Sequence, residues 1–551
     1  MSITVKQISS LEKVRPCGIG DVKAIDSAIL LGGERFSYQV AIESEKNREF
    51  TVSVSSPLKE YIKVYAVKNV VMDYPTEANP DEDLITKEPG LMPDLLLPIE
   101  DEGNVIRLEN EAGAIWLDVR VPKDFEPGQY VVDVSLAYKA SNEILELKTT
   151  MTLDIIGVNI PNQKTKFTQW FYADCIADAH NVEIYSEEHW SLIDKYMALA
   201  SDLGVNMLLT PIISPPLDTA FGITRPCTQL VKIFKENKKY TFDFSLLKRW
   251  IELCNKNGIE YFEMSHLFSQ WGLKYAPNIK ICENGEENYL FGWHTAAESE
   301  EYKEFLTRFI PELIEFCKAE GIKDRCWFHI SDEPNLIHID SYKYAYDIIK
   351  PLVEDCPTLD AISSYEFYEK GLIEIPVTVT TEMHQFLGKG VPNQWVYYCG
   401  NPHDDTGNRF LSMPSYRNRI LGLQMYKYGI EGFLHWGYNF YYSENSRKKI
   451  NPYLTTSADK GFPSGDSFSV YPVQEGAAPS LRAVIFREAL YDIEICRMLE
   501  GFIGREKVIE LIDKAAMMDI TFEKYPRNSD YITDLINEMK IIIKKHTERM
   551  S

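Results

Sequence analysis

The sequence predicts a multidomain chain: an N-terminal antiparallel β-sandwich, then a (β/α)8 TIM barrel, then a short C-terminal helical cap. Three observations carry that expectation. Apolar residues recur with a period of two from Glu34 to about Ile156, strand-like and helix-like segments then alternate through eight strands, and two amphipathic helical patterns follow. A chain of 551 residues has room for three to four average domains, or fewer if one is a large barrel. The expected boundaries are 1–160 for the sandwich, 161–504 for the barrel and 505–551 for the helical extension.

The sandwich reads from FSYQVAIES, FTVSVSS, IKVYAVKNVVM, AIWLDVRV, GQYVVDVSLAY and LKTTMTLDII, with turn residues such as Pro127-Gly128 and Ala140-Ser141-Asn142 between them. The stretch from Asp73 to Asp94, rich in Pro, Asp and Glu, is expected to project as an irregular surface excursion. Near Pro161 the pattern changes. Strand 166–174 is followed by helix 189–204, strand 205–212, helix 245–258, strand 261–268, helix 301–321 and strand 326–333; helix SYKYAYDIIKPLVED, then strands DAISSYE, VTVTT and QWVYYCG in succession, helix SYRNRILGLQMYKYG and strand GFLHWGYNF bring the count to eight. Strand six, VTVTT, is the least distinct. PSLRAVIFREALYDIEICRMLEGFIG supplies the last barrel helix.

Composition narrows the function. Asp and Glu number 82 against 58 Lys and Arg, giving a net charge of −24, which repels a nucleic-acid backbone or an anionic bilayer. The expected partners therefore include no nucleic acid and no membrane. No apolar run reaches the 18 residues a membrane span needs, and the first residues, MSITVKQISSLEKVRPCG, lack the apolar core of a signal peptide, so a cytoplasmic location is expected. The ten cysteines show no CxxC pair and no metal-ligand spacing, so neither a metal nor a cofactor is expected. A homodimer stays open.

Barrel enzymes carry their chemistry at the C-terminal ends of the strands. Strand four ends Phe328-His329-Ile330-Ser331-Asp332-Glu333-Pro334-Asn335, two adjacent carboxylates stopped by a proline. Alternation would face Trp327, His329, Ser331 and Glu333 inward and turn Asp332 away, so both acids share one site only if the strand ends or bulges near Ser331. Paired carboxylates suit glycoside hydrolysis. Strand seven offers no nucleophile opposite them; Glu382, Asp404 and Asp405 are the nearest alternatives. With no partner across the site, a sugar's own 2-acetamido oxygen can attack, Asp332 orienting the acetamido group and Glu333 acting as acid and then base. Repulsion and partial desolvation favour a proton on the acid of such a pair. A solvated turn or helix cap is the bland reading of the same residues. The conventional alternative takes Glu382 as nucleophile, and a third reading is a catalytically silent carbohydrate-binding protein.

Aromatic rings at strand ends would stack on sugars, although large side chains inside a barrel are also ordinary filling. The candidates are Trp170 and Tyr172 on strand one, Tyr365 at the end of strand five, Trp395 and Tyr397 on strand seven, and Trp436 and Tyr438 on strand eight. Trp293 and His294, in the long third loop, would form a lid. His266 and Asp174 could bind hydroxyls or serve as structural polar groups.

The combination resembles glycoside hydrolase family 123. The residues that carry the resemblance are His329-Ile330-Ser331-Asp332-Glu333-Pro334, Ala114-Ile115-Trp116-Leu117-Asp118-Val119-Arg120-Val121-Pro122 with Pro127-Gly128-Gln129-Tyr130, and Ser480-Leu481-Arg482 with Tyr491-Asp492-Ile493-Glu494. It spans nearly the whole chain. The resemblance implies a retaining, exo-acting β-N-acetylgalactosaminidase that works by substrate assistance without a metal. Its substrate would be an oligosaccharide or glycoconjugate ending in a β-linked N-acetylhexosamine. It carries the family's acid pair onto Asp332 and Glu333 and its aromatic platform onto some of Trp395, Trp436 and Tyr365.

Overall fold

The computed structural model describes residues 3–46, 48–77, 81–108, 110–400 and 405–549. Two five-stranded sheets form the N-terminal region. One orders Ile3–Ser9, Arg35–Ser44, Ala112–Arg120, Ile62–Met72 and Gly90–Pro98; the other orders Ser27–Gly32, Glu143–Asn159, Gly128–Ala140, Arg48–Ser55 and Val105–Leu108. Alternate residues Val40, Ile42, Ile115 and Leu117 meet Val132, Val134 and Leu153 between the sheets. The sandwich is not wholly antiparallel: Ser27–Gly32 runs parallel to Glu143–Asn159.

Eight parallel strands follow, each three to five residues long, in the order Lys166–Gln169, Met207–Thr210, Tyr261–Met264, Cys326–Phe328, Leu359–Ala361, Ile375–Val379, Trp395–Tyr397 and Gly432–His435. The first and eighth pair in register, Phe167 opposite Phe433. Between the fourth and fifth only a single parallel bridge, Phe328 to Thr358, joins the ring, so the barrel is nearly closed. Strand six exists and pairs with both neighbours. The αβ alternation is less regular than eight equal units, because strand five is followed by a four-residue helix, Glu366–Glu369, and strand six by a 3-10 segment, Thr380–Gln385. The larger helices have identifiable starts: Ser186 caps Glu187–Asp202 by accepting from the His189 amide, and Ser299 caps Glu300–Ala319 in the same way.

Two sequence expectations need correction. The segment after Asp73 does not project; its described residues lie on the barrel. Asp73 accepts from the Thr455 and Ser457 hydroxyls and the Thr456 amide, Tyr74 N–H donates to Ser464 Oγ, and Asp81 pairs with Arg417. The strand Gly90–Pro98 then takes up the end of the stretch. Nor are the final helices, Arg505–Ala516 and Ser529–Glu548, simply a cap. The second packs on Leu481–Ile503 and on the sandwich strand Ser27–Gly32, with Lys540 paired to Glu34 at 2.5 Å and Lys544 to Asp154 at 2.8 Å.

Candidate active site

Strand four stops at Phe328, five residues before Glu333, and the chain continues as an extended loop whose backbone is held by a neighbour. Ile330 and Ser331 N–H both donate to Asp360 of strand five, at 3.2 and 3.3 Å. Glu333 then adopts φ +46°, in the left-handed region. That departure from strand geometry lets two consecutive side chains enter one space. Asp332 and Glu333 both line a cavity of about 370 Å³ with Trp170, Tyr172, Asp218, Gln270, Trp271, Tyr397, Trp436, Phe462 and, from the sandwich, Glu77. Small-molecule sites span roughly 300–1,000 Å³, so the space suits one sugar with part of its aglycone.

Each acid has its own partners. Asp332 is 4% exposed, and its Oδ2 accepts from Gln270 Nε2 at 2.6 Å. Gln270 is oriented in turn by the Asp218 N–H, which donates to its Oε1 at 2.5 Å. Glu333 is half-buried; its Oε1 accepts from Tyr397 OH at 2.7 Å and its Oε2 from Trp271 Nε1 at 3.4 Å. Burial falls hardest on Asp332. That burial, and then the Glu333 charge, push its carboxyl well above the usual carboxylate range, opposed by the Gln270 hydrogen bond and the His329 charge. Asp218, which with Glu77 brings the cavity carboxylates to four, is raised to about 7 by burial.

The sequence candidates separate cleanly. Asp332, Glu333, Trp170, Tyr172, Tyr397 and Trp436 line the cavity. Trp436 Nε1 donates to Asp466 at 2.9 Å, which fixes its ring against Phe462, 5.0 Å away between centroids. The other seven do not line it. Trp395 sits at the beginning of its strand, flat against Gly432, where an added Cβ would lie 2.1 Å from the indole. Tyr438 lies outside the barrel wall, stacked on Phe171 with its hydroxyl on Tyr196 O. Tyr365 packs on Tyr368 and Phe386 beneath Lys389. Trp293 and His294 form no lid: they bond the backbone of Ile223 and Leu290, beside a four-stranded sheet built from Lys232–Glu236, Lys239–Asp243, Ile279–Glu283 and Glu286–Phe291. Asp174 is buried in an ion pair with Arg225, behind Tyr172. His266 is stacked on His329 with centroids 4.0 Å apart.

Among the alternatives to the acid pair, Glu382 accepts from Gln385 outside the cavity lining, Asp405 pairs with Arg527, and Asp404 lies outside the described residues. Gln270, Trp271 and Asp218 were not singled out from sequence. They sit in loops after strands two and three, where no motif marks them; the exposed aromatic of Ser269-Gln270-Trp271-Gly272 was the available signal. Among the described residues, His266, His329 and Asp360 bring ligand-type atoms within 4.8 Å of one another. The two rings are only 19° from parallel, so their in-plane lone pairs do not converge, and both His329 nitrogens already face carboxylates. That set does not fit a metal ion.

The family model described as glycoside hydrolase 123, catalytic domain, matches residues 170–499. No curated protein matches the chain. Among solved structures, a family 123 glycoside hydrolase from Clostridium perfringens, described in connection with glycolipid glycan hydrolysis, is 13% identical, covers 100% of both chains and superposes with a TM-score of 0.74. A β-glucuronidase from Parabacteroides merdae is 11% identical, matching 89% of this chain and 52% of its own, with a TM-score of 0.32. At that score the second likeness carries no argument.

Proposed function

The chain belongs to the glycoside hydrolase 123 family, and from that premise we propose that it is a retaining, exo-acting β-N-acetylgalactosaminidase working by substrate assistance. The observation that carries this reading is the placement of two consecutive carboxylates in one sugar-sized cavity, each with separate hydrogen-bond partners. The galacto configuration is carried by the family likeness.

The acetamido carbonyl oxygen attacks the anomeric carbon as Glu333 protonates the leaving oxygen, giving a bicyclic oxazolinium ion, which keeps its N–H, and the free aglycone alcohol. Water then attacks the same carbon, Glu333 takes its proton, and the ring reopens to the hemiacetal with retained configuration. Asp332 accepts the acetamido N–H. The free pair favours a proton on the buried Asp332; a substrate N–H arriving at that carboxylate stabilises its ionised form, which moves the shared proton toward the residue that must donate it. Trp170, Tyr172 and Trp436 offer rings for the apolar sugar faces.

A panel of aryl glycosides differing in anomer, C4 configuration and 2-substituent tests the proposal. It expects cleavage of the β-N-acetylgalactosaminide, loss of that activity in Asp332→Asn and Glu333→Gln, and competitive inhibition by a galacto-configured thiazoline. Preference for an aryl β-galactoside sinks substrate assistance. A conventional double displacement then becomes the second reading, with Asp218, which with Glu77 makes two further cavity carboxylates, taken as its nucleophile. Asp218→Asn would abolish turnover under that reading and only weaken binding under the first.

A further inference from the structure

The loop carrying the acid pair leaves the sheet at Phe328, so something other than the strand ladder holds it. Its anchor is His329. Nδ1 lies 2.8 Å from Asp360 Oδ1, and Nε2 lies 2.5 Å from Glu263 Oε1. Glu263 also accepts from Thr168 and from Nε1 of the cavity-lining Trp170 at 2.8 Å. Asp360 further accepts from Tyr342 OH and from the Ile330 and Ser331 amides. One imidazole thereby ties the acid-bearing loop to strands one, three and five.

The charge follows from counting donors. A neutral imidazole carries a single N–H, so one of its nitrogens would present a lone pair to a carboxylate oxygen; the imidazolium donates to both. Burial raises the proton affinity of Asp360, opposed by His329, Tyr342 and Ser331. With donors converging on both its oxygens, the ionised form is the one its surroundings satisfy. A neutral His329 would then leave two buried carboxylates uncompensated. The groups facing it are Glu263, Asp360, Asp332 and the ring of His266. Burial and the His329 charge hold His266 well below the ordinary histidine value, and it presents a neutral π face to the cation.

We propose that His329 is a positioning residue, held as an imidazolium between Glu263 and Asp360, whose two bonds fix the loop that carries the acid pair and whose charge eases the ionisation of the buried Asp332. The proposal rests on reading Asp332 and Glu333 as the catalytic pair. Burial pulls the His329 value down, but the hydrogen bonds and charges of Asp360 and Glu263 outweigh it and raise it to about 9.

The test has two arms on the full-length protein. In NMR of the wild type labelled at the histidine ring carbons and nitrogens, one of the ten histidines is expected to keep imidazolium shifts at pH 8. His329→Gln should remove that signal, and Asp360→Asn should shift it if the first variant does not fold. No imidazolium at pH 8 overturns the proposal. In the second arm, the acidic limb of the kcat/KM profile on the aryl β-N-acetylgalactosaminide is expected to move up by about one pH unit or more in His329→Gln, as loss of a nearby opposite charge demands. A uniform loss of activity with an unmoved limb shows a merely structural role and also overturns it. A wild type that cleaves no aryl glycoside sinks the functional reading instead, and the NMR arm still decides the charge.

Discussion

Glu333 adopts φ +46°, a conformation that costs a residue with a Cβ about 1–2 kcal/mol, and it lies among other residues in the same region, Trp271 and Leu273. The strain has a local use: it brings the carboxyl against Tyr397 and the Trp271 indole. Glu333→Gln is expected to lower kcat by roughly 10²–10⁴ on substrates with poor leaving groups. The loss should be much smaller on a dinitrophenyl glycoside, whose aglycone leaves without a proton, and steady-state rates on the two substrates check this. Asp218 makes a prediction of opposite sign for stability. Its folded value, about 7, lies above the roughly 3.9 of an unfolded aspartate, so its contribution is complete below pH ~4 and is lost as pH rises through 7. Asp218→Asn should therefore raise Tm more at pH 8 than at pH 5. The acid pair was legible in sequence because adjacent carboxylates before a proline at a strand end are chemically conspicuous. Trp395 and Tyr438 misled because barrel strands of three or four residues do not extend as far as their apolar runs, leaving one ring at the start of its strand and the other three residues past the end of its own.

At the scale of elements, the eight strands were readable from apolar runs, and so was the absence of long helices between strands five, six and seven; the crossovers there, residues 362–374 and 380–394, carry only a four-residue helix and a 3-10 segment. The segment following Asp73 was misjudged. Its polarity suggested solvent, but its acidic and amide groups bond the barrel loops 455–464, and Glu77 reaches the cavity. Asp73 holds that junction. The Thr455, Thr456 and Ser457 hydrogen bonds outweigh its burial and keep its carboxyl below the usual range. Asp73→Ala is expected to raise KM more than it lowers kcat. It should also cost about 1–3 kcal/mol, since hydrogen bonds to a charged group are worth roughly that much; kinetics and denaturant unfolding read the two effects separately.

Across the whole molecule, sandwich and barrel are joined by buried and half-buried charge. Asp94 meets Arg482 with two contacts of 2.9 Å, Asp118 meets Arg487 at 2.6 Å, and Asp202 at the end of a barrel helix meets Arg35 and Arg120, each at 2.7 Å. Removing one member of a buried pair typically costs about 3–5 kcal/mol. Arg482→Met should therefore destabilise the protein by about that amount, measurable as a shift in the denaturant midpoint. The junction also titrates. Burial works against the charge on Asp202, but Arg35 and Arg120 hold it at about 2, below the roughly 3.9 of the unfolded chain. Its contribution is present above pH ~4 and is lost as pH falls toward 2, so acid unfolding monitored by circular dichroism should begin at higher pH in Asp202→Asn, which lacks this contribution. These pairs were invisible in sequence: a net charge of −24 says nothing about which acids face an arginine 82 to 388 residues away.

The strap at Asp73 also carries a consequence in time. Its hydroxyl partner Thr455 lies 382 residues further along the chain. At a synthesis rate of roughly 5–20 residues per second, about 20–75 s pass between the emergence of the two. Through that interval the sandwich can complete its sheets while Asp73, Tyr74 and Asp81 have no surface to bind. A ribosome stalled within the barrel would present a folded sandwich bearing a free acidic strap, open to proteolysis until the loops that receive it are made.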